Sequence, residues 1–463
     1  MATDVTKYAA EAAYKDIERD ALARTEPQAS PRAILLGGQP GAGKSELAFR
    51  ATRELAEDGG AVVIDADRMR AANPRYQQLL RDDPQNAADR TQAEAGQWAT
   101  RLTIAAAEAR RNLVVDGTMR NPDNIRDLAT RLRESGYTVE ARVLAVDAET
   151  SLTRARLRFE EQTEAGGAGR YVNREQHDAA YEALPRTVAT LEREKLVDRI
   201  AVYDAQQRLV YENRLAQGQW REAPAAAQKL DEERARPYTP AETRAQVSAL
   251  EDIASLARDR TGQPDREIEA KLERAQSAWA VAQQSPAFQR AEAFDNLPKG
   301  EALARHPELD GAYAQLRDTR SQFPPAMSRD EREQSYLSLA ARLSEQLQRG
   351  EVPRGSVTRE ESERVIDLAA RERGFTSVRS AAELNSDVRG EVVATSSHHA
   401  LIKLSDQVAV RVERPGLDHD LSVGERVAIQ FDKGQGRVYE LGKDPGRDLE
   451  RGHDRGMDRD LGR

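Results

Sequence analysis

The 463-residue sequence predicts an α/β protein: a parallel sheet flanked by helices, followed by a helical region and a small C-terminal β-barrel. Three observations carry that prediction. From residue 31 to about residue 212, short apolar runs alternate with helical periodicity, the order that builds a parallel sheet covered on both faces. Past residue 222 the apolar residues recur at three- and four-residue spacing. Around Asp387 the period drops to two, with glycines between the runs.

In chain order, residues 1–26 place Val5, Tyr8, Ala9, Ala12, Ile17, Ala21 and Leu22 on one helical face, and Pro27, Ser30 and Pro31 end that helix. Residues 27–220 read as one domain. Its first strand is 33–36, then come a glycine-rich loop and a helix from Lys44 to about Glu57, stopped by Gly59-Gly60. Further strands fall at 61–64, 113–115 and 139–146, and a late pair at 200–203 and 208–211. Residues 221–245, rich in Ala, Pro and charge, read as a linker. Within 246–386, helix faces are formed by Val247, Leu250, Ile253, Leu256 and Ala257, by Ile268, Leu272, Ala275, Trp279 and Ala282, and by Tyr336, Leu339, Leu343 and Leu347. Pro286, Pro298 and Pro324-Pro325 separate them. The segment 387–442 holds five short strands, at 391–395, 399–404, 408–413, 426–431 and 437–440, the pattern of a small barrel. The tail, 443–463, alternates Asp, Arg and Gly without apolar periodicity and reads as disordered.

Composition excludes several functions. With no cysteine, disulfides, thiolate metal sites and cysteine nucleophiles are ruled out together. No apolar run approaches the roughly 18–20 residues that cross a bilayer, so no membrane role is expected. The start, Met1-Ala2-Thr3-Asp4, lacks the basic and apolar parts of a secretion signal, and a cytoplasmic location follows as the expectation. A mean hydropathy of −0.75 is polar enough to imply open helix or tail. The net charge of −9 argues against general coating of nucleic acid and leaves room for a local basic patch. Of the 70 basic residues 60 are arginine, so no single arginine carries weight by its presence alone.

Gly38-Gln39-Pro40-Gly41-Ala42-Gly43-Lys44-Ser45 fits the phosphate-loop pattern, and it lies after an apolar run and before a helix. A polyphosphate needs several backbone N–H groups converging on it, which a chain folded tightly through glycines presents. The following helix adds the positive end of its dipole. Lys44 is then placed to reach the β- and γ-phosphates, and Ser45 to ligate Mg²⁺.

Two strand ends add chemistry. Asp65 and Asp67 close the second apolar run, at the sheet edge that faces the phosphate loop. One suits water-mediated Mg²⁺ binding and the other a proton-accepting role; a solvated helix-capping turn is the plain alternative. Asp116, Thr118 and Arg120 close the third run and offer an acceptor, a hydroxyl and a guanidinium to a polar acceptor substrate. Arg154, Arg156 and Arg158 lie in a helical stretch, and Arg170 follows the glycine loop 166–169. Arg158 and Arg170 are candidates to close over the γ-phosphate.

Residues 31–212 resemble the zeta toxins, P-loop kinases of toxin–antitoxin systems. The resemblance rests on Leu35-Leu36-Gly37-Gly38-Gln39-Pro40-Gly41-Ala42-Gly43-Lys44-Ser45, on Ile64-Asp65-Ala66-Asp67-Arg68-Met69-Arg70 with Asn73-Pro74-Arg75-Tyr76, on Asp116-Gly117-Thr118-Met119-Arg120, on Arg158-Phe159-Glu160-Glu161 and on Arg170. It implies a P-loop kinase that uses ATP or GTP and Mg²⁺ to phosphorylate the 3′-hydroxyl of UDP-N-acetylglucosamine, which starves cell-wall synthesis. By position, it implies that Lys44 and Ser45 bind phosphate and metal, that Asp67 is the general base, that Asp116, Thr118 and Arg120 hold the sugar nucleotide, and that Arg158 and Arg170 stabilise the migrating phosphoryl group. Asp116 stands where the family commonly has Glu, and Thr100 falls in register with an acidic sugar contact of the family. Both departures bear on the acceptor. An antitoxin protein, or helices of the chain itself such as 4–24, would supply restraint.

Residues 388–441 bear a weaker resemblance to a KfrB-type plasmid maintenance domain, through His398-His399-Ala400-Leu401-Ile402 and Leu421-Ser422-Val423-Gly424-Glu425. This barrel reads as a docking module for nucleic acid or protein, though Phe431 and Tyr439 are its few aromatics. His398 and His399, adjacent in a strand, point to opposite faces and read as ordinary strand residues rather than a metal pair. Two functions compete with the sugar-nucleotide kinase: a kinase for another hydroxyl acceptor (nucleoside, NAD or antibiotic), and a plasmid maintenance scaffold whose P-loop is a nucleotide switch.

Overall fold

The computed structural model describes residues 2–82, 87–166, 169–324, 327, 329–384, 387–432 and 435–441. The tail at 443–463 lies outside the described residues. No helix among them is long and apolar enough to cross a membrane.

The chain divides into two units, the first comprising residues through Tyr238 together with Arg244–Gln276. Its elements are α1 (Ala2–Ala23), β1 (Arg32–Gly37), α2 (Lys44–Glu54), β2 (Ala61–Asp65), α3 (Ala66–Ala72), α4 (Pro74–Asp82), α5 (Ala87–Arg90), α6 (Gln92–Glu108), β3 (Asn112–Asp116), α7 (Pro122–Glu134), β4 (Thr138–Leu144), α8 (Ala148–Glu164), α9 (Arg174–Arg193), β5 (Arg199–Tyr203), β6 (Leu209–Ala216), β7 (Gln219–Trp220) and α10 (Ala226–Ala235), then most of α11 (Pro240–Thr261) and the first part of α12 (Arg266–Ala282). Sheet order is β2-β3-β1-β4-β5-β6-β7. The first five strands are parallel, and β6 and β7 close one edge antiparallel.

β1 runs through the middle, buried on both faces after Arg32, which is why residues 33–36 are all apolar. Ala33 and Leu35 enter one core with Val62, Trp98, Leu102, Leu184 and Val188. Ile34 and Leu36 enter the other with Leu47, Ala51, Leu55 and Leu144. β3 and β4 flank β1, so the connections leaving its carboxyl end diverge and open a crevice there. Glu140 of β4 crosses the sheet to Arg32, Arg142 and Arg199 at 2.8–3.0 Å. Burial pushes its carboxyl up, but the arginines overcome that and hold it at about 2.

Helix α1 belongs to the core. Tyr14 is buried, tilts against Trp98 at 5.8 Å between ring centroids and carries Arg101 over its face at 3.7 Å. Arg101 donates twice to Glu11, at 2.7 and 2.8 Å.

The linker at 221–245 is corrected. Residues 226–235 form α10, with Ala226, Leu230 and Arg234 buried at four-residue spacing. Two small or aliphatic residues and an arginine make an apolar stripe too thin to read in a charged segment. The first unit therefore runs past residue 220, and residues 244–276 belong to it rather than to a separate helical region.

The second unit comprises Thr239–Thr243 and the chain from Ser277 onward. Its helices are α13 (Pro286–Asn296), α14 (Lys299–Arg305), α15 (Asp310–Ser321), α16 (Arg329–Gln348) and α17 (Arg359–Glu372). Its strands are β8 (Ser377–Ser380), β9 (Val388–Thr395), β10 (His399–Lys403), β11 (Val408–Glu413), β12 (Arg426–Asp432) and β13 (Gln435–Glu440). Phe294, Leu303, Leu309, Leu316, Leu343 and Leu347 form the helical core. α17 turns Val365 toward that core, and Ile366, Ala369 and Ala370 toward Ala394, Leu401 and Ala409 of the sheet.

The sheet has six strands in the order β13-β12-β9-β10-β11-β8. Its end strands do not pair among the described residues, so the structure is an open sheet in place of the expected barrel. Strand β8, parallel to β11, is the addition, and its four residues are too short to show alternation. The helix α17 covers one face, which removes the need for closure.

His399 is buried and lies 3.1 Å from Ser362 Oγ through Nδ1, while His398 Nε2 lies 2.7 Å from the Val357 carbonyl. Their separate partners make them structural. Burial, helped by Arg411, pushes His399 down from 6.5 to about 4. Its folded value lies below its unfolded one, so its contribution is complete above the unfolded value and is lost as pH falls toward the folded one. The melting temperature of the second unit is expected to fall between about pH 6.5 and about pH 4, and His399→Gln to flatten that dependence, as read by calorimetry at a series of pH values.

Candidate active site

The crevice at the carboxyl ends of β1, β2 and β3 is a cleft of about 560 Å³. Its floor is the loop between β1 and α2. Gly43 caps α2 in the left-handed region, φ 99°, and no side chain caps its first turn. Those N–H groups therefore face the cleft at the positive end of the helix. Gly41 also has positive φ, 82°. A Cβ there would collide with the Ser151 carbonyl oxygen, so only glycine allows the loop to lie against α8.

Lys44 folds back along the loop and donates to the Gly38 and Gln39 carbonyls at 2.8 and 3.4 Å. Burial lowers its pKa, against the opposing pull of Asp116. Ser45 also lines the cleft. The Gln39 side chain turns away from it: its amide donates to the Val146 carbonyl at 2.7 Å and to Ser151 Oγ at 3.1 Å, and its oxygen accepts from Arg234 at 3.0 Å.

Asp65 ends β2 and is the register partner of Asp116, which ends β3. Asp65 also caps α3, accepting from the N–H of Asp67 at 2.8 Å and of Arg68 at 3.3 Å. The chain has turned by Asp67, so the two carboxylates do not share a strand face. Both oxygens of Asp67 are taken by guanidinium groups: Arg70 at 2.5 Å on one, Arg170 on the other. Arg70 is itself buried and donates to Gln92 at 2.6 Å. Burial raises the pKa of Asp116, with Lys44 opposing.

Thr118 and Arg120 face the cleft because the chain bends sharply between them. Met119 takes a left-handed conformation, φ 53°, unusual for a residue with a side chain. Such strain costs about 1–3 kcal/mol and persists where surroundings fix it. Here Thr187 Oγ1 donates to the Met119 carbonyl at 2.7 Å, and the side chain is buried. Arg154 and Arg158, one helical turn apart on α8, complete the wall with Arg170. The buried Nε of Arg158 has no hydrogen-bond partner among the described residues, a donor left over for an anion. Burial lowers the pKa of Arg170, with Asp65 opposing.

The structure thus brings together Pro40, Gly41, Gly43, Lys44, Ser45, Asp67, Asp116, Thr118, Arg120, Arg158 and Arg170. Gly38, Gln39 and Ala42 lie behind the lining. Thr100 is not part of the cleft: it is exposed on α6, and its hydroxyl donates to the Gly96 carbonyl at 3.0 Å. The residue that α6 presents is Gln92. Gln92 and Gln176, neutral amides outside any motif, gave no sequence signal. α1 is not among the lining elements and packs into the core. A larger groove of about 910 Å³ runs between α1, α2 and β2 and touches the cleft at Asp65, but contains no phosphate-loop residue.

Fold and cleft define a P-loop nucleotide-binding protein of kinase type. The zeta toxin family model matches residues 16–216. The toxin PezT of Streptococcus pneumoniae is 30% identical over 185 residues, 40% of this chain and 72% of the relative. Toxin zeta of Enterococcus hirae is 28% identical over 176 residues, 38% of this chain and 61% of the relative. A solved structure from the PezAT chromosomal toxin–antitoxin system of S. pneumoniae is 25% identical, covers 54% of this chain and 96% of its own, and superposes with a TM-score of 0.48. The chain belongs to the zeta toxin family.

The close approach at Gly41 gives a direct check. Gly41→Ala is expected to abolish binding of a fluorescent ATP analogue, in fluorescence titration, while the circular dichroism spectrum stays that of the wild type.

Proposed function

We propose that this protein transfers the γ-phosphoryl group of ATP or GTP to a hydroxyl of a sugar nucleotide, UDP-N-acetylglucosamine at its 3′-hydroxyl, and so acts as a toxin against cell-wall synthesis. One observation carries the reading: the phosphate loop, Asp67, the Asp116–Thr118–Arg120 corner and two phosphate-facing arginines share one cleft.

The loop N–H groups and Lys44 hold the β- and γ-phosphates. Ser45 with the Asp65 and Asp116 carboxylates is an all-oxygen donor set suited to Mg²⁺. No cluster of three or more metal-ligating His, Cys, Asp or Glu exists among the described residues, which fits an ion held largely by the nucleotide. Bound Mg²⁺ supplies charge neutralisation at the phosphates. Asp67 takes the proton of the attacking hydroxyl once its pair with Arg170 opens. The γ-phosphate is the anion that competes for that guanidinium. Arg158 and Arg170 then stabilise charge on the transferring group. Asp116, Thr118 and Arg120 position the acceptor.

Gln92 and the short Asp116 favour a second acceptor class within the same chemistry, another hydroxyl compound such as a nucleoside, because neither supplies a long acidic contact to an amino sugar. Restraint of the toxin falls to a separate antitoxin protein in the cytoplasm, a reading supported by the toxin names of the relatives PezT and toxin zeta.

The test incubates the full chain with Mg·ATP and UDP-N-acetylglucosamine and reads the sugar nucleotide by mass. A gain of one phosphate is expected. Asp67→Asn is expected to lower transfer by about 10²–10⁴ while leaving ATP affinity within about twofold. ATP binding without phosphate gain on this or any acceptor in a cell extract would leave a nucleotide switch.

A further inference from the structure

The matched family region ends at residue 216, yet the chain that follows returns to the back of the cleft. Arg234 of α10 is buried, lies over the Tyr181 ring at 3.9 Å, donates to the Tyr181 carbonyl at 2.9 Å and reaches the phosphate-loop Gln39 at 3.0 Å. Tyr238 donates to Asp147, the cap of α8, at 2.6 Å. From there the chain tracks α8 from start to end. Gln246 donates to Thr153 at 2.7 Å, and Asp265 pairs with Arg156 at 3.1 Å. Arg260 donates through Nε and Nη2 to Glu160 at 2.8 and 3.0 Å.

These contacts use one stripe of α8, at positions 153, 156 and 160, while Arg154 and Arg158 face the cleft from an adjoining stripe. Glu160 is buried and accepts from Arg156 as well, at 2.7 Å. The Arg260 guanidinium also lies 5.4 Å from the centre of the Phe159 ring. Phe159 meets Tyr171 edge-on at 5.4 Å, and Tyr171 adjoins Arg170. One residue outside the cleft therefore packs on the turn of α8 that carries Arg158 and, through Phe159, reaches Tyr171 beside Arg170.

We propose that residues 226–238 and 244–265 of the first unit are an intramolecular brace for phosphoryl transfer, in which Arg234 sets the phosphate loop through Gln39, and Arg260 sets Arg158 and Arg170 through Glu160 and Phe159. Both are positioning residues. The inference rests on the transfer chemistry above for the role of Arg260, and on nucleotide binding alone for that of Arg234.

The test uses the full chain with Arg234→Gln, Arg260→Gln and the conservative Arg234→Lys and Arg260→Lys. The two positions act on different steps. Arg234→Gln is expected to raise the Kd for a fluorescent ATP analogue about tenfold and to lower kcat at saturating ATP less than about threefold. Arg260→Gln is expected to leave that Kd within about twofold and to lower kcat about thirtyfold, with Arg260→Lys recovering part of it. Amide hydrogen exchange over residues 154–171 should rise in both Arg260 variants and stay unchanged in those at Arg234. No change in Kd, kcat or exchange would overturn the proposal. So would a joint fall of Kd-competence and kcat in step with melting temperature, or unfolding of the lysine variants, since the arginines would then hold the fold and not the site. If the wild type binds ATP but transfers no phosphate to UDP-N-acetylglucosamine, the acceptor assignment fails by itself. The Kd and exchange measurements then decide the brace.

Discussion

The close approach of the phosphate loop to helix α8 is the constraint on which the rest of the cleft depends. Gly41 lies against the Ser151 carbonyl where no side chain fits, and Gln39 is tied to Val146, Ser151 and Arg234 behind it. Each group on Gln39 is a hydrogen-bonding partner in a buried place, where an unpaired amide is costly. The N–H of Ala42 is used within the loop, on the Gln39 carbonyl at 3.1 Å, and a loop held from behind in this way leaves the N–H groups of its glycines and of Lys44 for the front. The two sides of the loop divide the labour: side-chain bonding at the back, backbone donors at the front.

The front is built on charge imbalance. Lys44, Arg120, Arg154, Arg158 and Arg170 face the cleft against Asp65, Asp67 and Asp116, five basic groups to three acidic. Burial works against the cations at Lys44 and Arg170. An anion entering the cleft relieves that cost, because it returns to buried cations the counter-charge that water no longer provides. The Nε of Arg158 and the Arg170–Asp67 pair fit the same picture: one donor lacks a hydrogen-bond partner among the described residues and another has a partner that it can exchange. On the opposite wall the strained Met119 turns Thr118 and Arg120 inward, and Thr187 holds it there.

The second unit shows how one helix joins two layers. α17 carries Val365 on the side of the helical core and Ile366, Ala369 and Ala370 on the side of the sheet, with a capping box from Thr358 and Glu361 at its start. Its apolar positions at 365, 366, 369 and 370 span a broad stripe, wider than a helix packed on a single partner needs. Covered by that helix, the sheet stays open at its ends.

The sequence by itself determined six of the seven strands of the first sheet, all but the two-residue β7, together with the phosphate loop and the identity of most cleft residues. Those signals are local: a buried parallel strand must be apolar throughout, and a phosphate loop needs glycine at fixed spacing. It could not reveal that residues 226–235 form a helix, since only Ala226, Leu230 and Arg234 mark its buried side. Nor could it place Thr100 outside the cleft, because a position counted along the chain does not say which side of α6 faces the substrate. Tertiary structure alone decided that Arg234 reaches Gln39 of the phosphate loop and Arg260 reaches Glu160 of α8, that Met119 is strained and that both oxygens of Asp67 are paired. Each of these joins residues far apart in the chain or depends on a backbone angle that the residue type does not favour. Such features arise only when separate elements are packed together.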